Sequence, residues 1–216
     1  MERTVQAFAA AQRILDEIKE ETGFSFETYD DVENILEDLR YNYGMEKVYF
    51  EWGASRVVFY DDNNDYAIKI AREQCFEKYN EREVEIYADA ETQKLEENFG
   101  WCKCYIEPTE ETPGIYVMEF LDGDEEDVTS RAYQYGYSKY CETYGLDTNE
   151  DSAESYQSEV DEKEELMYLL HSYMTEKEVS AFENFVYSWD ISDLHSGNML
   201  YRNERLVICD YAGWGW

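Results

Sequence analysis

The residues best suited to chemistry lie near the C-terminal end of the sequence. Residues 193–198 read Asp-Leu-His-Ser-Gly-Asn, which places an aspartate five positions before an asparagine, and Asp210 follows after a predicted turn. Carboxylate and amide oxygens are suitable ligands for a hard cation such as Mg²⁺. Phosphoryl transfer requires phosphates that are held still, magnesium that neutralises their charge, and a base beside the acceptor hydroxyl. The spacing therefore favours chemistry on a phosphate-bearing substrate.

Short strands and amphipathic helices must position these residues. Apolar alternation and turn residues predict strands over residues 48–50, 57–59, 66–70, 101–106, 115–121, 199–201 and 206–209. Helical spacing of apolar residues predicts helices over residues 4–21, 31–43 and 74–96. Thr175 and Glu178 form the pattern of a capping box, which predicts the start of the helix that precedes Asp193.

The ordered set of motifs resembles the protein-kinase-like phosphotransferase superfamily. Residues 193–198 followed by Asp210-Tyr211-Ala212 are similar to its catalytic loop and metal-binding tripeptide, and Tyr-Ala-Ile-Lys ending at Lys69 is similar to its third-strand lysine motif. The Asp-Leu-His-x-Gly-Asn form is closer to aminoglycoside- and sugar-type phosphotransferases than to ordinary protein kinases. It also resembles short kinase-like proteins encoded by bacteriophages.

This resemblance covers about residues 48–214 and implies a fold class. We expect a bilobed α+β protein-kinase-like fold with an antiparallel sheet in the N-lobe and a reduced, helical C-lobe. The expected boundaries are an N-terminal helical extension over residues 1–44, the N-lobe over 45–121 and the C-lobe over 122–216. The predicted helices over residues 4–21 and 31–43 lie outside the region of resemblance.

In the C-lobe, the resemblance implies that Asp193 is the catalytic base that accepts the proton of a hydroxyl acceptor. It implies that Asn198 and Asp210 hold Mg²⁺, and that His195 supports the loop rather than acting on the substrate. Three positions depart from the pattern of protein kinases: Ile191-Ser192 replace a histidine and an arginine, and Ala212 replaces a glycine. Because the sequence ends at Trp216, we expect neither an activation loop nor a platform for a peptide substrate.

In the N-lobe, the resemblance implies that Lys69 pairs with the phosphates of ATP and with an acidic residue of the following helix. Glu83 is the preferred partner, and Glu85 is the alternative. The nucleotide-covering loop keeps one glycine where the full motif has three. The implied nucleotide-binding positions are Gly53 and Ser55 in that loop and Glu119 and Leu121 in the hinge.

The charge of the sequence permits a second hypothesis. The 216 residues include 51 acidic and 18 basic ones, so the net charge is −33, and residues 122–165 form the most acidic stretch. Such a field repels nucleic acid and anionic membranes and attracts basic partners. The surface is then either a solvated face, a salt adaptation, or a decoy with carboxylates where a partner expects phosphates.

Two functions therefore remain open at this stage. The first is an ATP- and Mg²⁺-dependent phosphotransferase; the second is a catalytically weak or inactive kinase-fold protein that blocks a basic, nucleic-acid-handling host protein. No signal-peptide pattern is present, and no apolar run approaches the ~18 residues of a membrane span. We expect a cytoplasmic protein, in the host cytoplasm if it is encoded by a phage.

Overall fold

The structure is a computed structural model that describes residues 29–43, 48–61, 66–93, 95, 101–110, 113–121 and 123–212. The predicted helix over residues 4–21 lies outside this range. The chain divides into two compact units, Met1–Glu85 with Lys103–Phe120 and Ile86–Cys102 with Leu121–Trp216. Within the described residues, no helix is both long and apolar enough to span a membrane.

A five-stranded antiparallel sheet forms the centre of the first unit, in the order β1-β2-β3-β5-β4. The strands are β1 (Val48–Trp52), β2 (Arg56–Asp61), β3 (Tyr66–Ala71), β4 (Cys104–Ile106) and β5 (Ile115–Glu119). All six residues of the central strand β3 are buried, which explains its nearly continuous apolar sequence. The predicted α+β fold with an antiparallel sheet is confirmed.

Two helices accompany this sheet in the chain. The first, α1 (Tyr29–Tyr43), buries Val32, Ile35 and Leu36 in the same apolar cluster as the sheet residues. The second, α2 (Glu77–Thr92), follows a single 3₁₀ turn over Gln74–Phe76, so the helix predicted over residues 74–96 starts with tighter winding. The boundary between the two units falls within α2, after Glu85.

The second unit is mainly helical. It contains α3 (Glu125–Tyr144), α4 (Glu150–Glu159), α5 (Glu162–His171) and α6 (Glu176–Ser188), followed by a hairpin of β6 (Met199–Arg202) and β7 (Arg205–Ile208). Each of the four helices begins with a side-chain cap, which satisfies backbone N–H groups of the first turn. The caps are Asp124, Asn149, Asp161 and Thr175, the last forming the predicted box with Glu178.

Trp101 anchors the hairpin of the second unit. The strand predicted over residues 101–106 is shorter than expected, because Trp101 forms a parallel bridge with Ile208 instead of pairing with β5. The indole is fully buried, with ring centroids 5.7 Å from Phe182, 5.3 Å from Phe185 and 5.1 Å from Tyr211. This aromatic cluster fixes the segment that follows β7.

Candidate active site

Lys69 and Glu83 form a buried ion pair in the first unit. The ammonium Nζ of Lys69, on β3, lies 3.3 Å from Oε1 and 3.4 Å from Oε2 of Glu83, on α2. Lys69 is 4% exposed and Glu83 is 0% exposed. Glu85, the alternative partner in sequence, is exposed on the same helix. The structure therefore brings Lys69 together with Glu83.

Arg56 and Asn80 extend this pair, and sequence reasoning missed both. Nη2 of Arg56 lies 2.9 Å from Oε1 of Glu83, and Nη1 donates to Oδ1 of Asn80 at 3.4 Å. Asn80 in turn donates to the carbonyl of Gly114 at 2.7 Å, before β5. An arginine at the start of a strand gives no sign of burial, but Asn80 and Glu83 are spaced three residues apart on one helix face.

The turn between β1 and β2 contains the predicted nucleotide-covering residues. The amide of Gly53 donates to the carbonyl of Arg56 at 2.9 Å, and a Cβ at Gly53 would meet the same oxygen at 2.9 Å, so the turn requires glycine. The guanidinium of Arg72 donates to the carbonyls of Gly53 and Ala54 at 3.1 Å, while its amide donates to the carbonyl of Ser55. Hydrogen bonds from Arg72 stabilise this short turn. Its role in covering a nucleotide stays a prediction.

The predicted hinge residues fall in different units. Glu119 ends β5, where its amide donates to the carbonyl of Lys103 at 2.9 Å and its carboxylate accepts from the Lys103 amide at 3.3 Å. Leu121 is buried in the second unit. These contacts define the backbone at the end of β5, and the adenine-binding role of both residues stays a prediction.

The segment from Asp193 to Asn198 folds as a loop that ends in a 3₁₀ turn. The side chain of Asn198 donates to the carbonyl of Asp193 at 3.0 Å, so its amide nitrogen faces the protein backbone. The Asp193 side chain is 39% exposed. It is therefore accessible to a substrate proton, as a base must be.

His195 lies beside Asp193. The amide of Gly197 donates to Nδ1 of His195 at 3.2 Å, so in the neutral imidazole the proton resides on Nε2. Nε2 lies 3.5 Å from Oδ1 of Asp193, which places the two polar atoms close together without a hydrogen bond. The supporting role that the resemblance implies for His195 stays a prediction.

Ser196 attaches the loop to two helices, and no pattern in the sequence indicates these contacts. Its hydroxyl lies 2.7 Å from Oε1 of Glu162, at the start of α5, and 3.1 Å from Oε1 of Glu125, at the start of α3. The amide of Ser196 also donates to Glu162 at 3.2 Å. Because Ser196 is 2% exposed, these bonds hold the middle of the loop against the protein.

The hairpin brings Asn198 and Asp210 to one end. Met199 pairs with Ile208 at the open end of the hairpin, and the amide of Cys209 donates to the carbonyl of Asn198 at 2.9 Å. Asp210 is the next residue. Tyr211 is fully buried, and its hydroxyl donates to the carbonyl of Cys102 at 3.1 Å. Asp210 is thus held between two fixed neighbours.

The donor set at this hairpin end suits Mg²⁺. An amide oxygen and a carboxylate are hard oxygen ligands, and Mg²⁺ usually takes only one or two protein ligands in addition to substrate phosphates and water. The described residues contain no group of three or more His, Cys, Asp or Glu that could hold a metal by itself. Substrate phosphates and water would supply the remaining ligands of a cation here.

No protein-family model matches the sequence, and no curated protein matches it. Similar solved structures include the streptomycin-ATP ternary complex of APH(2")-IIa, at 17% identity and a TM-score of 0.40, covering 83% of this chain and 70% of that one. ADP-bound aminoglycoside phosphotransferase APH(2'')-Ib matches at 17% identity and a TM-score of 0.41, with 83% and 70% covered.

Macrolide 2'-phosphotransferase MphH from Brachybacterium faecium is a further similar structure. It is 13% identical, and the match covers 83% of this chain and 71% of that chain at a TM-score of 0.36. The activities in these names are those of the similar proteins. The interpretation of the present chain therefore depends on its own site residues.

Proposed function

We propose that this protein is an ATP- and Mg²⁺-dependent phosphotransferase that acts on a hydroxyl acceptor. The observation that carries the proposal is the buried pair of Lys69 and Glu83, separated by 3.3 Å. Burial of paired charges gives little net stability, because desolvation opposes the Coulombic attraction. If the pair positions Lys69 for phosphate oxygens, this function explains why the protein keeps two buried charges despite their desolvation cost.

The remaining site residues supply the other parts of the reaction. Lys69 binds phosphate oxygens of ATP, and Asn198 and Asp210 hold the magnesium ion. The cation neutralises charge on the phosphates. Asp193 accepts the proton of the acceptor hydroxyl as this oxygen bonds to the transferred phosphorus.

The proposal is tested by nucleotide binding in two matched variants. Lys69→Met removes the buried ammonium, whereas Lys139→Met removes an ammonium whose side chain is 54% exposed and paired with Glu142. Mg²⁺ with ATP should raise the melting temperature of the wild type and of Lys139→Met, because a ligand of the native state stabilises it by mass action. Lys69→Met should lose most of this shift.

A further variant tests the magnesium-binding part of the proposal. Asp210→Ala should remove the magnesium-dependent part of the shift while the melting temperature without nucleotide stays close to that of the wild type. If millimolar ATP with Mg²⁺ leaves the wild type unshifted, the protein does not bind nucleotide in this way, and the phosphotransferase proposal fails.

We propose a second candidate function, the blocking of a basic protein that handles nucleic acid, on the exposed acidic surface. Residues 142–151 are all exposed, and they include four acidic residues and no basic one. A protein-binding surface of this kind should act independently of Asp193, and its binding should weaken with salt because exposed charges are screened over ~8 Å at physiological ionic strength. A cellular effect that survives Asp193→Asn but not neutralisation of these acids would favour it.

A further inference from the structure

Three helices of the second unit border a pocket with tyrosine walls. The pocket has a volume of about 510 Å³, within the range of small-molecule sites. Tyr140 stands among neighbouring rings, with its centroid 4.8 Å from that of Tyr144 and 5.4 Å from that of Tyr156. Tyr135 and Tyr168 also line the pocket, so aromatic rings from α3, α4 and α5 surround it.

Several of these rings remain in contact with solvent. Tyr144 is 64% exposed and Tyr168 is 47% exposed, while Tyr156 is fully buried beneath them. A set of rings that only completed the core would be buried throughout. Exposed aromatic faces beside a concave surface are instead a common feature of binding sites.

Two carboxylates also line the pocket. Glu159, at the end of α4, and Glu164, in the first turn of α5, line the pocket and are exposed. The hydroxyl of Tyr140 donates to Oε2 of Glu159 at 3.0 Å, which fixes one carboxylate beside the ring. Negative charge therefore lies next to electron-rich ring faces.

The basic residues of the pocket do not cancel this charge. Lys139 lies 2.7 Å from the carboxylate of Glu142, which balances its ammonium. Burial lowers the pKa of His171, against the opposing effect of Glu183, so His171 is neutral at pH 7. The carboxylates of Glu159 and Glu164 leave the pocket negative.

We infer that this pocket binds a small organic cation, with an alkylammonium group held against the tyrosine faces and the carboxylate of Glu159. A cation near an aromatic face is attracted by the ring quadrupole, and quaternary ammonium groups are recognised in this way by cages of aromatic residues. The adjacent carboxylate adds Coulombic attraction. A neutral apolar ligand would gain only contact with the rings, and an anion would be attracted neither by the ring faces nor by the carboxylate.

The part of the pocket around Tyr140 lies away from the catalytic loop. Glu125, at the first position of α3, contacts Ser196 of that loop, whereas Tyr140 lies fifteen residues further along the same helix. At 1.5 Å per residue, the two positions are about 22 Å apart. A ligand held at Tyr140 and Glu159 therefore lies away from the loop, and the inference does not depend on the phosphotransferase proposal.

The test uses choline and its neutral analogue 3,3-dimethylbutan-1-ol, which has nearly the same shape without the charge. Both are titrated at constant ionic strength into the full-length protein, and tyrosine-ring NMR signals are followed. Choline should bind saturably, and the analogue should bind at least about tenfold more weakly. Equal binding of the two would identify an apolar groove and overturn the inference.

Matched variants locate the binding. Glu159→Gln should weaken choline binding about fivefold, while Glu154→Gln, the same change on an exposed residue of α4, should leave it unchanged. Tyr144→Leu should weaken binding about threefold, and Tyr187→Leu, at an 89% exposed tyrosine of α6, should have no effect.

Three further results would overturn the inference. They are the absence of saturable choline binding, equal weakening by Glu154→Gln and Glu159→Gln, and binding that Tyr144→Leu does not change. The second result would mean that the net charge of the protein attracts choline without a site. Circular dichroism checks the fold of each variant, and Tyr144→Leu carries the test by itself if Glu159→Gln is destabilised.

Discussion

The guanidinium of Arg56 lies 2.9 Å from the carboxylate of Glu83, closer than the 3.3 Å between that carboxylate and the ammonium of Lys69. One buried carboxylate therefore serves two cations that are each nearly inaccessible to solvent. Loss of Lys69 leaves Glu83 with a charged partner. Loss of Glu83 leaves two buried cations without this partner.

This asymmetry predicts the effect of mutations on stability. Glu83→Ala should lower the free energy of unfolding by about 3–5 kcal/mol, as expected when a buried ion pair loses one member. Lys69→Met should cost less than half as much, because Arg56 still faces Glu83 and the methionine fills much of the space. Urea denaturation of both variants measures the difference, and equal losses would contradict the shared-carboxylate interpretation.

Asp193→Asn should separate binding from chemistry. The asparagine keeps the shape of the side chain but cannot accept the proton, so the rate of phosphoryl transfer should fall by ~10²–10⁴-fold. The affinity for ATP with Mg²⁺ should stay within about twofold, because the phosphate and metal ligands are unchanged. Hydrolysis of ATP, with water as the acceptor, gives the rate before a natural acceptor is known. An unchanged rate would exclude Asp193 as the base.

His195→Ala should have a smaller effect than loss of Asp193. The alanine removes Nε2, which lies 3.5 Å from the Asp193 carboxylate, and Nδ1, which accepts from the Gly197 amide. The rate should fall about tenfold, as is typical when a residue that orients a functional group is lost. His195→Gln restores an N–H donor and should recover part of the rate. A loss as large as that of Asp193→Asn would instead indicate a direct role for His195.

Gly136 makes room for Tyr156 in the helical unit. A Cβ at Gly136 would overlap the hydroxyl of Tyr156, so Gly136→Ala should destabilise the protein by about 1–3 kcal/mol despite the higher helix propensity of alanine. Tyr156→Phe removes that hydroxyl. In a double-mutant cycle the alanine should therefore cost much less in the Tyr156→Phe background, and additive losses would refute the steric explanation.

Glu165 should contribute to the pH dependence of stability. Burial raises the pKa of Glu165 above its ordinary value of 4.5; the neighbouring Tyr156 opposes this rise, and the charges of Glu162 and Asp161 add to it. The charged form is thus disfavoured in the folded state, and this cost is present above the folded pKa and disappears as pH falls toward the unfolded pKa. Glu165→Gln should be more stable than the wild type at pH 7, with the difference closing as pH falls toward 4.5.

A control removes the effect of the overall charge. Glu154→Gln makes the same change in net charge at an exposed position of α4, so its stability relative to the wild type should vary little over this pH range. Urea denaturation at several pH values gives both comparisons. A difference that widens for Glu165→Gln as the pH falls would mean that the buried carboxylate is stabilised in its charged form.

Much of the site follows from local patterns in the sequence. Lys69 is predicted on a strand and Glu83 on the next helix, and the capping box of Thr175 and Glu178 forms as expected. These features depend on residues close together in the chain, for which strand and helix periods are informative. The roles of these residues in catalysis and nucleotide binding remain predictions.

The contacts that sequence reasoning missed are long-range. Arg56 meets Asn80 and Glu83 across more than twenty positions, and Ser196 reaches Glu125 across seventy-one. Nothing in the neighbourhood of an arginine or a serine shows that the fold will bury it beside a distant carboxylate. Trp101 was likewise expected to continue a strand, whereas its bridge to Ile208 depends on the placement of a hairpin a hundred residues later.

The hydrogen bonds on either side of Asp210 affect the entropy of cation binding. Its neighbours Cys209 and Tyr211 are tied to Asn198 and Cys102 by the protein's own hydrogen bonds, so the backbone around the carboxylate is ordered without help from a ligand. The conformational entropy of this segment is therefore lost during folding rather than during ligand binding. A cation that binds here should show a small entropic penalty from the protein and an affinity governed by dehydration and charge.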